Sequence, residues 1–206
     1  MSLVFVISAP SGSGKSTLVE QMLKEDPKLK FSTSYTTRGR TAQDQAGFHY
    51  NFTDKATFVG MVANNEFLEW AEVHGNYYGT HRSALEEANR EGKDLLLDID
   101  VQGARQLKVT IPDAVRIFIL APSRQELEVR LRRRQRDSDS VIQLRVARAA
   151  QEIEGFSDYD YVIVNDDVVT AGNQLRSVIQ AERRRSKLVA VKQEVEAILG
   201  TFKDRP

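Results

Sequence analysis

Short runs of consecutive apolar residues recur along the chain, and stretches with apolar residues at every third or fourth position lie between them. The runs occupy positions 3–7, 95–99, 115–120 and 161–164. Unbroken Val, Ile and Leu character, without alternation, is typical of strands covered on both faces of a sheet. The intervening stretches predict helices at 16–24, 82–91, 124–134, 141–154 and 171–199. Strands that alternate with helices predict an α/β fold with a parallel sheet flanked by helices.

Positions 32–80 depart from this pattern because they are polar and rich in aromatic residues. Short β-like pieces at 31–36 and 48–52 carry glycines at their turns, and four tyrosines lie in the segment. We predict that 32–80 forms a lobe inserted between the first and second core strands.

A second departure is the segment 130–140, which holds five arginines and is too charged to be core. We predict a lid between helices there, within 126–149. The whole chain is then one domain whose core consists of 1–31, 81–125 and 150–206. The run Arg183-Arg184-Arg185, inside the last predicted helix, is most simply a solvated face.

Charge and composition exclude several classes of protein. Lys and Arg number 29, as do Asp and Glu, so net charge gives no argument for a nucleic-acid or membrane partner. The lack of cysteine removes disulfides, thiolate zinc sites and cysteine nucleophiles. No apolar run approaches the ~20 residues that span a bilayer, and the first strand begins too early for a signal peptide. We expect a cytoplasmic protein, and monomer and homo-oligomer both stay open.

Candidate chemistry begins directly after the first apolar run, in a glycine-rich turn. The turn reads Ala9, Pro10, Ser11, Gly12, Ser13, Gly14, Lys15, Ser16 and Thr17. Glycines let backbone N–H groups approach phosphate oxygens, a lysine adds a cation, and Ser16 offers a hydroxyl to Mg²⁺. The following helix adds the positive end of its dipole. This predicts a P-loop that binds a nucleoside triphosphate, although Ala9 replaces the usual first glycine. A Gly/Ser turn before an ordinary helix is the alternative.

Two carboxylates follow the second apolar run, where ligands bind in open α/β sheets. They are Asp98 and Asp100. In a P-loop protein a carboxylate at this place holds Mg²⁺, so we expect Ser16, Asp98 and Asp100 to surround the ion. The alternative is an aspartate that caps the next helix.

Taken in order, these and further motifs resemble the guanylate kinase family, which transfers phosphate from ATP to GMP. The matching segments are 8–16, Ser34-Tyr35-Thr36-Thr37-Arg38, Gly47 with Tyr50 and Phe52, Phe67-Leu68-Glu69, Gly75-Asn76-Tyr77-Tyr78-Gly79-Thr80, Asp98-Ile99-Asp100-Val101-Gln102-Gly103-Ala104, Pro122-Ser123, Arg130-Leu131, Asp137-Ser138 and Val164-Asn165-Asp166-Asp167. The resemblance implies a P-loop NTPase core with a parallel sheet, an inserted GMP-binding lobe and a lid.

The resemblance also implies roles on the acceptor side. Ser34 and Thr80 would donate to guanine O6, and Glu69 would accept from N1–H and the exocyclic amine. Adenine has no N1–H, so a buried carboxylate discriminates against it. The phosphate of GMP, and of dGMP, would contact Tyr50, Tyr78 and Arg38, and Asp100 would lie beside the acceptor. On spacing alone, half-buried packing of the two tyrosines is the alternative.

One stretch departs from the family. After the Thr-Thr pair, the family's second phosphate-binding arginine falls on Thr41 in this chain. Either Arg40 reaches the phosphate from a loop shifted at Gly39, or the site has lost one cation. We favour Arg40 as a partial substitute.

On the donor side, the resemblance places Arg130 and Arg134 of the lid, with Arg145 or Arg148, over the triphosphate, and Asn165 near adenine. A solvated arginine-rich helix end is the alternative. The implied catalytic groups are Lys15, Arg38, Arg134 and Arg145. The implied reaction is MgATP + GMP to ADP + GDP by direct in-line transfer. A kinase for another nucleoside monophosphate and a non-catalytic guanylate-kinase-like interaction domain are the competing hypotheses.

Overall fold

The computed structural model describes residues 2–41, 50–73, 75–133, 138–185 and 187–203. Its strands are β1 Val4–Ser8, β2 Leu29–Phe31, β3 Tyr35–Thr36, β4 Asn51–Phe52, β5 Phe67–Val73, β6 Asn76–His81, β7 Asp94–Asp98, β8 Val115–Leu120 and β9 Tyr161–Val164. Its helices are α1 Lys15–Glu25, α2 Lys55–Ala63, α3 Ser83–Glu91, α4 Val101–Thr110, α5 Arg124–Arg133, α6 Asp139–Glu154, α7 Val168–Glu182 and α8 Val189–Lys203. A 3₁₀ turn, Phe156–Asp158, precedes β9.

Five parallel strands form the first sheet, in the order β2-β7-β1-β8-β9. The central strand β1 pairs with β7 on one side and with β8 on the other, so that Phe5 lies opposite both Leu96 and Val115. All four strands predicted from apolar runs are present in this sheet, which confirms the predicted fold class. The edge strand β2 was not predicted, because its three residues include a lysine and are too short to show a pattern.

Helices cover both faces of this sheet. Phe5 and Ile7 of β1 pack with α1 and α7 on one face. Val4 and Val6 pack with α3 and α4 on the other face. All four side chains are buried. The two-sided burial is the physical reason for the unbroken apolar runs, since neither face of such a strand meets water.

A second sheet, in the order β4-β3-β6-β5, is built within the segment predicted as an inserted lobe. Strands β5 and β6 pair antiparallel, and β3 pairs antiparallel with β6 and parallel with β4. Helix α2 supports this sheet by stacking Phe58 on Phe67 and Tyr77, with ring centroids 4.6 and 5.5 Å apart. The small sheet therefore has its own aromatic core.

The structure corrects the prediction of one long helix at 171–199. Helix α7 ends at Glu182 and a separate helix α8 begins at Val189. Arg183, at the end of α7, is not on a solvated face. Its guanidinium donates to Asp26 and Asp94 at 2.5 and 2.7 Å, and the side chain is only 21% exposed. Arg183 therefore ties α7 to the first sheet.

Part of the arginine-rich segment belongs to helices, while its residues 134–137 lie outside the described ranges. Arg130 to Arg133 belong to α5, and α6 begins at Asp139. The two helices pack together through a small apolar cluster that includes Leu127, Leu131 and Ile142. Arg132 pairs with Glu128 one turn away in α5. Across the described ranges, no helix combines the length and apolar character needed to cross a membrane.

Candidate functional site

The turn between β1 and α1 has the backbone geometry that its glycines predicted. Gly12 and Gly14 have φ angles of +97° and +88°, in the left-handed region that favours glycine. A Cβ on Gly14 would also collide with the side-chain amide of Asn165. That amide is buried and donates to the carbonyl oxygen of Ser13 at 2.8 Å. Asn165 therefore holds the turn in place from the end of β9.

The N-terminus of α1 is prepared for an anion. Its N-cap is Gly14, which has no side chain to accept a hydrogen bond from the first backbone N–H groups of the helix. The Ser13 hydroxyl is buried and has no hydrogen-bond partner among the described residues. Lys15 pairs with Asp98 and donates to the carbonyl oxygen of Ile99 at 3.1 Å. Uncapped N–H groups beside a lysine ammonium fit a phosphate group.

The two predicted magnesium carboxylates occupy different positions at the end of β7. Asp98 is the last residue of the strand, whereas Asp100 is the N-cap of α4 and accepts from the N–H of Gly103 at 2.9 Å. The capping alternative is thus realised at Asp100. Both still face one cleft with Ser16. The described residues contain no cluster of three or more His, Asp or Glu side chains suited to a metal ion. Mg²⁺ commonly takes one or two carboxylates together with phosphate oxygens, which this donor set fits.

A cleft of about 390 Å³ lies between the first sheet and the second sheet. It brings together many side chains and backbone groups that the sequence nominated. These are Ala9, Pro10, Ser11, Gly12, Ser13, Gly14, Lys15, Ser16, Ser34, Tyr50, Glu69, Tyr78, Asp98, Asp100 and Arg145. Residues from both sheets thus line one cavity. The glycine-rich turn forms one part of its wall and Glu69 forms another.

Glu69 of β5 is a buried carboxyl group that lines this cleft, and its side chain belongs to a residue only 4% exposed. The hydroxyl of Thr80 donates to its Oε1 at 2.6 Å. Burial raises the pKa of Glu69 to about 7, and the negative charge of Asp100 acts in the same direction, while the hydrogen bond from Thr80 opposes the shift. Thr80 is fully buried, is not part of the cleft wall and donates its one hydroxyl proton to Glu69, so its position fits a residue that orients Glu69 and does not fit the expected donation to guanine O6.

Aromatic rings and two arginines gather at the second sheet. The rings of Tyr50 and Tyr78 are 5.8 Å apart, edge to face. The Arg38 guanidinium lies 5.2 Å from the centre of the Tyr50 ring and 5.7 Å from that of Phe52. The Arg40 guanidinium lies 5.9 Å from the Phe52 ring. Neither arginine is part of the cleft wall, but both lie near Phe52, and Arg38 also lies over Tyr50, which lines the cleft.

Only some of the residues predicted to bind ATP line the cleft. Arg145 of α6 lines the cleft and donates to the Ser11 hydroxyl at 3.2 Å. Arg130 of α5 donates to Glu126 in its own helix at 2.8 Å, although its guanidinium lies close to Gly14. Thr17 is exposed and is not part of the cleft wall. Arg134 lies outside the described residues.

Glu152 of α6 lines the cleft but was not nominated from the sequence. Burial and the Asp100 charge raise the pKa of its carboxyl. Lys15 and Arg148 act in the opposite direction. No motif marks this glutamate. The available signal was its helical spacing of four and seven residues from Arg148 and Arg145, which places it on their face of α6.

These features define a P-loop phosphotransfer protein. They are a glycine-rich turn after a central parallel strand, a lysine at the start of the following helix, and carboxylates at the end of the neighbouring strand. The chain belongs to the guanylate kinase family, whose model matches residues 1–182. The guanylate kinase of Koribacter versatilis is 52% identical over 199 residues, covering 95% of this chain and 85% of the relative. The Vibrio cholerae enzyme is 47% identical over 191 residues, 92% of each chain. The crystal structure of guanylate kinase from Anaplasma phagocytophilum matches with a TM-score of 0.77 at 33% identity, covering 95% of this chain and 94% of that chain.

Proposed function

We infer that this protein is an ATP:GMP phosphotransferase, an enzyme that converts ATP and GMP to ADP and GDP. Relatives that are guanylate kinases share about half of its residues over most of the chain. The observation that carries the inference is the single cleft shared by the glycine-rich turn and Glu69. One wall is suited to phosphates and the other to the donor edge of a guanine base.

We propose that the ATP phosphates bind at the glycine-rich turn. The backbone of 9–14, the N-terminus of α1 and the ammonium of Lys15 would contact the phosphate oxygens. Arg145 already reaches Ser11 of the turn, which supports a place for its guanidinium beside the transferred group. Arg130 and Arg134 would add charge from α5 and its C-terminal side. Asn165 supports the turn and is our proposed neighbour of the adenine.

We propose that GMP binds against the second sheet. The ionised Glu69 carboxylate would accept from guanine N1–H and the exocyclic amine, and Ser34 would donate to O6, while Thr80 would orient the Glu69 carboxylate. Tyr50, Tyr78 and Arg38 would hold the phosphate, with Arg40 beside them. The position of both arginines near Phe52, and of Arg38 over Tyr50, supports this assignment. The same contacts would accept dGMP, because none of them uses the 2′-hydroxyl.

The proposed reaction needs no general base. A GMP phosphate oxygen is already anionic at neutral pH, so catalysis consists of positioning and charge neutralisation. Lys15, Arg38 and Arg145 would neutralise charge around the transferred phosphoryl group. Ser16, Asp98 and Asp100 are the groups that would hold Mg²⁺, which supplies further neutralisation of the phosphates when bound. Asp98 also holds the Lys15 ammonium in place.

Two other hypotheses are less well supported. A non-catalytic interaction domain has no need of an uncapped helix N-terminus with Lys15 beside it, and a kinase for another base has no need of a buried acceptor such as Glu69. Nothing among the relatives favours either. We further propose a division into a core, a lobe at 32–80 and a lid at 126–149, and a cytoplasmic location.

The reaction is tested by incubating the protein with MgATP and GMP and separating the nucleotides by chromatography. We expect ADP and GDP in equal amounts, and no turnover when EDTA is added. The Glu69→Gln variant should lose on the order of 2–4 kcal/mol in kcat/KM for GMP with little change in KM for ATP. An equal loss for both substrates would mark Glu69 as structural.

A further inference from the structure

We propose that Gly103 is a specificity-determining residue, because its missing Cβ leaves the space in which the Glu69 carboxylate is held for the guanine base. The inference rests on the proposed role of Glu69. Gly103 belongs to the motif Asp98 to Ala104, and neither phosphate binding nor metal binding accounts for a glycine at that position. It is buried in the first turn of α4, the helix that packs on β5.

The group closest to the position of a Cβ on Gly103 is the Glu69 carboxylate. A Cβ built there would overlap Oε2 of Glu69 and lie 3.0 Å from its Cδ. The next atom is Cδ1 of Ile99 at 3.4 Å, an ordinary contact. Meanwhile Oε1 of Glu69 accepts from Thr80 at 2.6 Å. The carboxylate is therefore clamped between the Thr80 hydroxyl and the bare backbone of α4.

The backbone conformation of α4 does not require a glycine at position 103. The φ of Gly103 is not in the left-handed region, and alanine is a better helix former than glycine. The N–H of Gly103 caps the helix through Asp100, and alanine keeps that N–H. A methyl group at this position would displace the end of a side chain, which can move by rotation. The atoms that move are the ones proposed to contact guanine, so the substitution should weaken binding of the base.

The test compares Gly103→Ala with Gly172→Ala, a matched buried helical glycine in α7. The three atoms nearest to a Cβ on Gly172 would belong to the side-chain amide of Gln21, at 3.0–3.2 Å. We expect Gly103→Ala to raise KM for GMP by about tenfold or more, the effect of losing one charge-assisted hydrogen bond. KM for ATP should stay within about twofold, well below that effect. The ratio of kcat/KM for GMP over IMP, which lacks the exocyclic amine, should fall. Gly172→Ala should behave as wild type.

A second substitution separates a steric link from a general defect. Glu69→Asp shortens the side chain by one methylene and withdraws the carboxylate from Gly103. In the Glu69→Asp background, adding Gly103→Ala should cost less than about twofold in kcat/KM for GMP, because coupled neighbours are not additive. Full additivity of the two losses would overturn the proposal.

Two further results for Gly103→Ala would decide the proposal. Unchanged GMP kinetics and GMP/IMP ratio in Gly103→Ala would contradict the proposal. If Gly103→Ala fails to fold, restoration of the fold by Glu69→Asp would support the steric link, and failure to restore it would assign the glycine to the fold. Failure of the proposed function would look different. The wild-type protein would then form no ADP in response to GMP.

Discussion

Burial and recognition make opposite demands on the Glu69 carboxyl group. Burial raises its pKa to about 7, whereas a guanine base with two N–H donors would require the ionised form. Thr80 offsets part of that conflict by donating to Oε1. A base without a donor at N1 would leave the carboxylate buried and unpaired. Selectivity for guanine would therefore come from the penalty on the wrong base as well as from contact with the right one.

The raised pKa predicts a pH dependence of base binding. Below a pKa of about 7 the folded protein holds a proton on Glu69 that guanine must displace, so affinity falls as pH falls. Between pH 6 and pH 8, the affinity for guanosine should rise about tenfold. Guanosine is the suitable probe because it lacks a titrating phosphate. Isothermal titration calorimetry measures the change, and Glu69→Gln should give weak binding with a flat profile. A flat profile in the wild type would contradict the assignment.

Lys15 is a second residue whose contacts lead to a prediction. Its ammonium pairs with Asp98 and is held at the cleft, and it is not part of the apolar core. Lys15→Met should lower kcat by about 10²-fold or more, because it removes charge neutralisation at the phosphates. Circular dichroism should show that the variant is folded. Near-normal turnover by a folded variant would remove Lys15 from the donor site.

At the scale of elements, α4 links the two proposed substrate sites. Its N-cap Asp100 lines the cleft, and its first turn packs against Glu69. The helix was not predicted from the sequence, because only a glycine, an alanine and one leucine of it are buried and an apolar stripe is missing. Four of the five strands of the first sheet were predicted, since burial on both faces leaves an unbroken apolar run.

The cap and metal roles of Asp100 can be separated by two substitutions. Asn and Asp are equally good N-caps, so Asp100→Asn should leave the free energy of unfolding unchanged, while Asp100→Ala should lower it by about 1 kcal/mol. If Asp100 also helps to hold Mg²⁺, both variants should lose roughly tenfold in activity or Mg²⁺ affinity. Urea unfolding and Mg²⁺ titrations of kcat measure the two effects. An Asp100→Asn enzyme with wild-type Mg²⁺ dependence would leave Asp100 only as a cap.

The loop after β3 carries the departure from the family, and it leads to a further prediction. Arg40 and Arg38 both lie over the Phe52 ring, and Arg40 remains our proposed partial substitute for an arginine at Thr41. Arg40→Ala should raise KM for GMP by the equivalent of about 1–3 kcal/mol, with guanosine binding unchanged. Thr41→Arg should lower KM again in that background. Equal losses for GMP and guanosine would show that the loop shapes the lobe instead.

At the scale of the whole molecule, the site is assembled from elements far apart in the chain. The sequence nominated candidate residues through a glycine-rich turn that ends in a lysine and through motifs that resemble a known family, and the structure brings many of them to one cleft. It could not predict that Asn165 would hold the turn at Ser13, or that Glu152 would enter the cleft. Both depend on how β9 pairs with β8 and how α6 packs against α5, and local sequence does not encode that packing.

The proposed guanine specificity is tested most directly by the selectivity of phosphate transfer among nucleoside monophosphates. ADP formation is measured with fixed MgATP and varied GMP, IMP, AMP, CMP or UMP. Because the buried Glu69 carboxylate matches the two donors of guanine, kcat/KM for GMP should exceed that for AMP by roughly 10³-fold or more. Comparable values for GMP and AMP, or no GMP-dependent ADP formation at all, would contradict the account.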